Sequence, residues 1–259
     1  MIKKFIYIHS LGIMQIINIL FYKISQRKIT KDFNLNGFIG KLGLEIGGPS
    51  AFFKSDNICP IYGICDGLDN INFSTATKWE GKISSGETFL YNPNKKKGIQ
   101  YVMESSNLAC IPDSKYDFIL ACHSLEHNAN VIKTLKEWYR VLKSNGQMLI
   151  VLPDRKFTFD KYREFTTFEH ILEDEKNDVQ EDDDTHFNEV LEKHYLIRDI
   201  EQKCKASFRN WVVNNYNNRG VHHHVFSESL IFEIANYLNL KVEFSSKYPP
   251  HHLVFLLKK

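Results

Sequence analysis

Short apolar runs and helical repeats take turns along most of this chain. Leu42-Gly43-Leu44-Glu45-Ile46 is an apolar run that enters the tight loop "GGPS", a strand followed by a turn. "PIYGIC" (60–65) reads as a second strand, followed by the acidic turn "DGLDN". "IQYVM" (99–103) reads as a third. "YDFILAC" (116–122) is a fourth, and its continuous apolarity is that of a strand buried on both faces. From Asn130 to Lys143, Val131, Leu135, Trp138, Val141 and Leu142 recur at helical spacing, and Asn145-Gly146 stops that helix. "QMLIVLP" (147–153) is a fifth strand, ended by Pro153. "SESLIFEIANYLN" predicts a helix capped by Ser227 with Glu228 near its positive end. "KVEFSS" and "HLVFLLKK" supply two last strands. Strands alternating with helices predict an α/β fold, a parallel sheet covered on both sides.

The first 30 residues form a separate unit. "MIKKFIYIHSLGIMQIINILFYKISQRK" has the basic flanks and apolar centre of a signal peptide or anchor. However, His9, Gly12, Gln15 and Asn18 recur every third residue and draw a polar stripe along a helix. A spanning segment would bury those groups in hydrocarbon, and no small-residue cleavage site follows. We expect an amphipathic helix over 1–30 that packs on the domain or on a partner subunit, as in a homodimer. Peripheral membrane contact through residues 1–25 is the alternative. Residues 31–259 then form one domain with a helical cap inserted at about 154–220. The acidic run "EDEKNDVQEDDD" (173–184) reads as a solvated loop or helix face. No internal repeat is present.

Composition narrows the class. A net charge of +2 over 259 residues predicts no nucleic-acid partner. The five cysteines (Cys59, Cys65, Cys110, Cys122, Cys204) are odd in number and hold no C-x-x-C pair. They suit a reducing, cytoplasmic setting and argue against a disulfide framework or a four-cysteine zinc site. Eight of the eleven histidines fall between His170 and His252.

Candidate chemistry begins at "LEIGGPS". A strand that runs into glycines lets backbone amides approach a ligand closely. The third glycine of G-x-G-x-x-G is absent, so the dinucleotide fingerprint is incomplete. Glu45 is an acid at the strand end, better suited to a positive sulfur or an ammonium than to phosphates. Asp66 and Asp69 lie about 20 residues on, where a carboxylate can accept ribose hydroxyls.

"LEIGGPS", "VMESSNLACIPDSKYDFILACHSLEHNAN" and "EWYRVLKSNGQMLIVLPD", in this order and spacing, resemble a class I S-adenosylmethionine-dependent methyltransferase over about 41–153. The resemblance implies a Rossmann-like, seven-stranded sheet whose last strand is antiparallel, with S-adenosyl-L-methionine as cofactor. It places Glu45, Gly47 and Gly48 near the methionine part, Asp66 or Asp69 at the ribose, and Glu104-Ser105 beside the adenine. It lets Cys122 to His127, with His123 among them, line the cofactor and acceptor side. "GGPS" departs from the usual "GxGxG". A narrower resemblance, through "VLPDRKFTFDKYR" and "HHHVFSESL", is to a subgroup associated with bacterial capsule and O-antigen synthesis, which Asp154, Arg155, Asp160, His222 and Phe226 fit. Acceptors in that subgroup include sugar hydroxyls and a phosphoramidate.

Methyl transfer to a high-pKa hydroxyl benefits from a general base, whereas an amine needs only to arrive neutral. The candidates for catalysis are Asp154, Asp160, His222 and His224, with Arg155, His127 and His186 on the acceptor. Each has a plainer alternative. Asp154 can cap a helix, Asp160 can pair with Arg163, and His186 with His194 can form a surface pair. If 222–224 is extended, His222 and His224 share one face and His223 takes the other. Base or acceptor contact ranks first for that pair, packing second and metal binding third, and no metal is expected. His251-His252 reads as a loop entering the last strand. The overall expectation is O-methylation of a small or carbohydrate-linked acceptor in surface polysaccharide (capsule) biosynthesis. N-methylation or phosphoramidate methylation is the alternative within enzymes, and a non-catalytic binding partner is the alternative outside them.

Overall fold

The computed structural model describes residues 34–199 and 205–259. The N-terminal helix expected over 1–30, and Cys204, lie outside these residues. Among them, no helix is long and apolar enough to cross a membrane.

One mixed sheet of eight strands organises the chain. Its strands are β1 (Leu42–Ile46), β2 (Gly67–Asn72), β5 (Gly86–Phe89), β6 (Gly98–Val102), β7 (Tyr116–Cys122), β8 (Leu142–Pro153), β9 (Lys241–Tyr248) and β10 (His252–Lys258). A two-stranded hairpin, β3 (Ala76–Thr77) and β4 (Gly81–Lys82), stands apart. The order across the sheet is β5-β6-β2-β1-β7-β8-β10-β9. β1 pairs in parallel with β2 and β7, β7 with β8, and β2 with β6. β10 runs antiparallel to both β8 and β9. The seven expected strands with an antiparallel last strand are therefore present, with β5 as an added antiparallel edge strand.

Two strand expectations are corrected. "PIYGIC" is a single helical turn, α1 (Ile61–Ile64), and the second strand is the supposed acidic turn, "GLDNIN". Polar groups inside the sheet masked it. Asp69, Asn70 and Asn72 are all buried, and each is hydrogen-bonded: Asp69 to Ile99 N, Asn70 to Gly48 and Gln100, Asn72 to the Gly48 carbonyl. Buried polar groups that are paired cost little, so the strand needs no apolar run. The fifth strand also begins earlier, because helix α2 (Val131–Val141) passes directly into β8. Asn145 takes a positive φ of 61° inside that strand, and the pairing with β7 shifts register nearby.

Apolar layers cover both faces. β7 shows why its sequence is continuous: Ile119 and Ala121 join the layer under α2 and helix α7 (Glu228–Tyr237). Phe118 and Leu120 join the opposite layer with Phe38, Phe53 and Tyr62. Ser227 caps α7 by accepting from Leu230 N at 3.1 Å, as expected. The cap carries helices α3 (Phe168–Lys176), α4 (Phe187–Lys193), α5 (Lys205–Val213) and α6 (Asn215–Asn218) around a small core of Val190, Phe208, Val212 and Val221. The acidic run is not simply solvated. Asp174 and Glu181 are buried, the latter bound to Arg219 at 2.7 Å.

Candidate functional site

Two adjoining cavities open at the carboxyl edge of the parallel strands. Strand order reverses there between β1 and β7, the place where open α/β sheets bind ligands.

The first cavity has a volume of about 380 Å³. Its floor is the loop after β1. Gly47 holds φ at +75°, a conformation that disfavours any side chain, and its N–H donates to Ile71 O at 2.8 Å. Gly48 is held by the Asn70 amide, and a Cβ there would stand 2.2 Å from the Glu45 carboxyl carbon. Glu45 itself faces away from the cavity. It is fully buried, accepting from Ser50 N at 3.0 Å and from the Tyr62 hydroxyl at 2.7 Å. Burial pushes its pKa up to about 7, against those hydrogen bonds, which favour the charged form. Glu45 is thus the brace under the loop. The cavity wall is Gly47, Pro49 and Ser50, then Asn72 and Phe73 after β2, Glu80 from the hairpin, Glu104 and Ser105 after β6, and Cys122 to Ser124 after β7. Arg219 closes it from the cap, reaching Glu104 at 2.6 Å and Glu181 at 2.7 Å.

The second cavity has a volume of about 340 Å³ and shares Trp79, His123 and His127 with the first. Phe157, Phe159 and Trp211 give it aromatic walls, and His222 and Glu126 face it as polar groups. The His222 ring is fixed by Asp160, Nδ1 to Oδ2 at 2.5 Å, so Nε2 is the nitrogen left for other contacts, with Glu126 Oε1 3.9 Å away. Asp160 is in turn held by Arg163, at 3.1 Å to Oδ1. Arg163 also donates to the carbonyls of His222 (2.7 Å) and His223 (3.1 Å). Burial lowers the His222 pKa, but the Asp160 charge and hydrogen bond outweigh it and hold it above the ordinary value. Burial acts the other way on Asp160, whose carboxyl the His222 and Arg163 charges keep well below the usual range. Glu126 is fully buried with both oxygens unpartnered, and burial lifts its pKa to about 7. His127 lies with Nδ1 3.0 Å from Val221 O; a carbonyl only accepts, so the proton sits on Nδ1 and the Nε2 lone pair is available. Burial, before all else, keeps His127 and His123 well below the ordinary histidine pKa.

Of the residues singled out in the sequence, the structure brings Gly47, Glu104, Ser105, His123 and His127 to the first cavity, and His123, His127 and His222 to the second. Asp160 stands behind His222. Several others lie elsewhere. Asp66 is exposed before β2, and Asp69 points into the sheet, bound by Lys115 and Tyr116. The residue at the carboxyl end of β2 is Asn72, which the misplaced strand concealed. Asp154 caps a short turn by accepting from Lys156 N at 3.0 Å, its plainer alternative. Arg155 turns to the Arg163 carbonyl and the face of Phe165. The 222–224 segment is not extended. It bends so that His222 stands alone, while His223 and His224 both face His186, with ring centroids 5.8 and 5.4 Å away. The expected pairing of His222 with His224 is therefore wrong, because the bends imposed by the Arg163 and Glu126 backbone contacts break the two-residue period. His186 sits with His224, away from the second cavity, and His194 pairs with Asp199 at 2.9 Å. Sequence reasoning missed Glu80, Arg163 and Arg219 as site residues; only the Asp160–Arg163 spacing signalled any of them.

Comparison with known proteins agrees with this architecture. Residues 85–150 match the family profile described as a methyltransferase domain. Among solved structures, an S-adenosylmethionine-dependent methyltransferase from Mesorhizobium loti superposes with a TM-score of 0.51 at 10% identity, over 87% of this chain and 94% of that one. A SAM-dependent methyltransferase from Aquifex aeolicus gives 0.46 at 13% identity, over 89% and 87%. No curated protein matches the sequence. Fold and matched segment point one way: the chain has the Rossmann-like methyltransferase fold, and its residues 85–150 match a methyltransferase domain, an enzyme class that uses S-adenosylmethionine as methyl donor.

Proposed function

We propose that the protein methylates a hydroxyl group of a small, carbohydrate-type acceptor, with His222 as the base that removes the hydroxyl proton. The observation that carries this reading is the Asp160–His222 pair, fixed by Arg163, facing a cavity that shares its wall with the cofactor cavity.

The residues of the first cavity fit the cofactor. At about 380 Å³ it lies in the range of small-ligand sites. The buried Ser124 Oγ in its wall has no hydrogen-bond partner in the protein. S-adenosylmethionine supplies an electrophilic methyl group on a positively charged sulfur. Gly47 and Ser50 would hold its amino-acid end. Glu80, the one acid in this wall not engaged by Arg219, would accept from the ribose, and Glu104 and Ser105 would border the adenine.

The chain's own work is alignment and proton removal. Alignment is the larger part, since an in-line displacement with a good leaving group needs the reactants held and water excluded. Aromatic walls at Trp79, Phe157, Phe159 and Trp211 suit the flat apolar face of a sugar ring. As the acceptor oxygen forms its bond to the methyl carbon, its proton passes to His222 Nε2. Asp160 keeps the imidazole oriented and stabilises the imidazolium that results, and this pairing favours O- over N-methylation. A sugar or phosphoramidate precursor of surface polysaccharide, methylated in the cytoplasm, is the acceptor class that the resemblance of "VLPDRKFTFDKYR" and "HHHVFSESL" supports.

Calorimetric titration with S-adenosylhomocysteine, then mass spectrometry of sugar and amino-sugar acceptors for one added methyl, tests the reading. His222→Ala should lower turnover by roughly 10²–10⁴-fold with S-adenosylhomocysteine affinity kept. Unchanged turnover in His222→Ala removes the base assignment. Turnover of an amine alone reverses the acceptor order. Absence of S-adenosylhomocysteine binding would leave the fold as a binding partner.

A further inference from the structure

Three histidines and an aspartate converge behind the 222–224 bend, away from both cavities. His170 and Asp174 lie one turn apart on α3, His186 caps the start of α4, and His224 comes from the bend. His170 Nε2 is 3.2 Å from His186 Nε2 and 3.5 Å from Asp174 Oδ2. His224 Nε2 is 3.8 Å from the same Asp174 oxygen. One ring nitrogen from each of the three histidines lies within 4.8 Å of the other two. Around a tetrahedral zinc-type ion with metal–nitrogen bonds of 2.0–2.1 Å, neighbouring ligand atoms stand about 3.3 Å apart. The three ring nitrogens come within about 1.5 Å of that spacing, with Asp174 Oδ2 adjoining two of the rings.

The protein does not satisfy these groups by itself. Asp174 is 7% exposed and His224 1%. Asp174 Oδ2 and His224 Nδ1 are nevertheless buried with no hydrogen-bond partner. An orphaned buried carboxylate oxygen is costly, and an imidazole pair that meets nitrogen to nitrogen can share only one proton. A divalent cation would engage all of them at once. A supporting layer is in place: Ala129 O accepts from His224 Nε2 at 3.1 Å, which leaves the unpartnered Nδ1 as the ligating nitrogen, and Asn130 Nδ2 donates to the Asp174 backbone carbonyl at 3.0 Å. Outer contacts of this kind orient metal ligands.

We propose that His170, Asp174, His186 and His224 bind one zinc-type divalent cation. Three nitrogens and one carboxylate oxygen suit a late first-row ion, and four protein ligands describe a closed, structural site. The ion would tie α3 and α4 of the cap to the bend two residues beyond His222, so its office is to hold the bend in place. The inference stands without the methyl-transfer reading.

Three other groupings among the described residues are weaker. His123, His251 and His252 bring no carboxylate. Glu126, His127 and His222 belong to the acceptor cavity. Asp183, His186 and His223 share His186 with the proposed shell, and His223 is also held by Asn215 at 3.1 Å.

The test uses the full chain, stripped with a chelator, dialysed, and titrated with cobalt(II). The expected result is one equivalent bound with the intense visible absorption of a tetrahedral site, displaced by zinc, and a Tm raised by either ion. His170→Ala and His224→Ala should each weaken binding at least about 10–100-fold. His223→Ala, His123→Ala and His222→Ala should leave it intact. Asp174→Asn and His186→Gln, which keep shape and hydrogen bonding, repeat the test if the alanine variants fail to fold. No stoichiometric cobalt binding by the wild-type chain overturns the proposal. So does binding that survives in Asp174→Asn and His186→Gln together, or that is lost in His223→Ala but kept in His170→Ala.

Discussion

The sheet side of the candidate site and its cap solve the same problem in opposite ways. In the first cavity, much of the wall follows directly from strand ends: Gly47 from β1, Asn72 from β2, Glu104 from β6, His123 from β7. The backbone ladder places them, and one buried acid, Glu45, braces the loop. In the cap no ladder exists. His222 is placed by side chains from distant positions, Asp160 and Arg163, and its neighbours by His170, Asp174 and His186. A site hung on a sheet is rigid through hydrogen bonds between strands. A site hung on a cap is rigid only as long as its buried charges stay paired.

The largest expected effect follows from that dependence. Arg163 is 1% exposed and neutralises Asp160 while satisfying two carbonyls of the bend. Removing one partner of a buried pair leaves an uncompensated charge, and Arg163→Ala should cost about 3–5 kcal/mol by urea denaturation. Lysine should not rescue it, since one ammonium cannot reach the carboxylate and both carbonyls as the guanidinium fork does. Affinity for S-adenosylhomocysteine, read by calorimetry, should change little. An equal collapse of cofactor binding would show that the two halves are one unit and end the distinction.

A second contrast lies in pH. The pKa of Glu45 is raised to about 7 in the folded chain from the ordinary 4.5. The native state therefore binds this proton more tightly than the unfolded state, and stability falls as pH rises from about 4.5 through 7. At 1.36 kcal/mol per unit the upper bound is about 3 kcal/mol. Tyr62, Cys122 and Glu80 are the titratable groups around it. Asp160 has the opposite sign: its depressed pKa contributes stability above the ordinary carboxylate range, lost as pH falls through and below it. Urea midpoints taken near pH 5 and near pH 7.5 span the Glu45 window and lie above that of Asp160. Glu45→Gln should flatten the decline between those points relative to wild type, and an unchanged slope would contradict a protonated Glu45.

The same contrast explains what could be read in advance. β1, β7, β9, β10, α2 and α7 were legible because apolar spacing reports burial against a regular scaffold. β2 was not, because its interior residues are polar and satisfied by partners far along the chain, such as Gln100 and Lys115. The misplaced strand carried the ribose expectation to Asp66 and Asp69 and hid Asn72 and Glu80. In the cap, His222 and Asp160 were legible as residue types. Their pairing across 62 positions was not, and neither was the bend that separates His222 from His224. The resemblance located the class; it could not supply contacts that only packing creates.

Gly48→Ala probes the ladder-built side more gently. The new methyl would meet the Glu45 carboxylate, which is pinned by Tyr62 and Ser50 and has little room to move. A cost of about 1–3 kcal/mol is expected, with weakened S-adenosylhomocysteine binding and an intact cobalt titration. Loss of metal binding in this variant would mean that strain crosses from loop to cap.

The smallest effect comes from Ser227, which stands where the two regimes meet. Val225 and Phe226 lead from the bend to Ser227, which starts α7 by accepting from Leu230 N. If the bend is positioned from the cap, through Arg163 and the histidine cluster, its geometry should not depend on how α7 begins. Ser227→Ala should then behave as an ordinary cap deletion. The expected cost is about 1 kcal/mol, a fall in Tm of about 2–4 °C for a domain of this size, with methyl transfer and cobalt binding unchanged at 25 °C. A helix that nucleates the bend predicts otherwise: the same substitution would lower turnover out of proportion to stability, because His222 would lose its orientation while the sheet stayed folded. Measuring both quantities on one variant decides which end of the segment holds it.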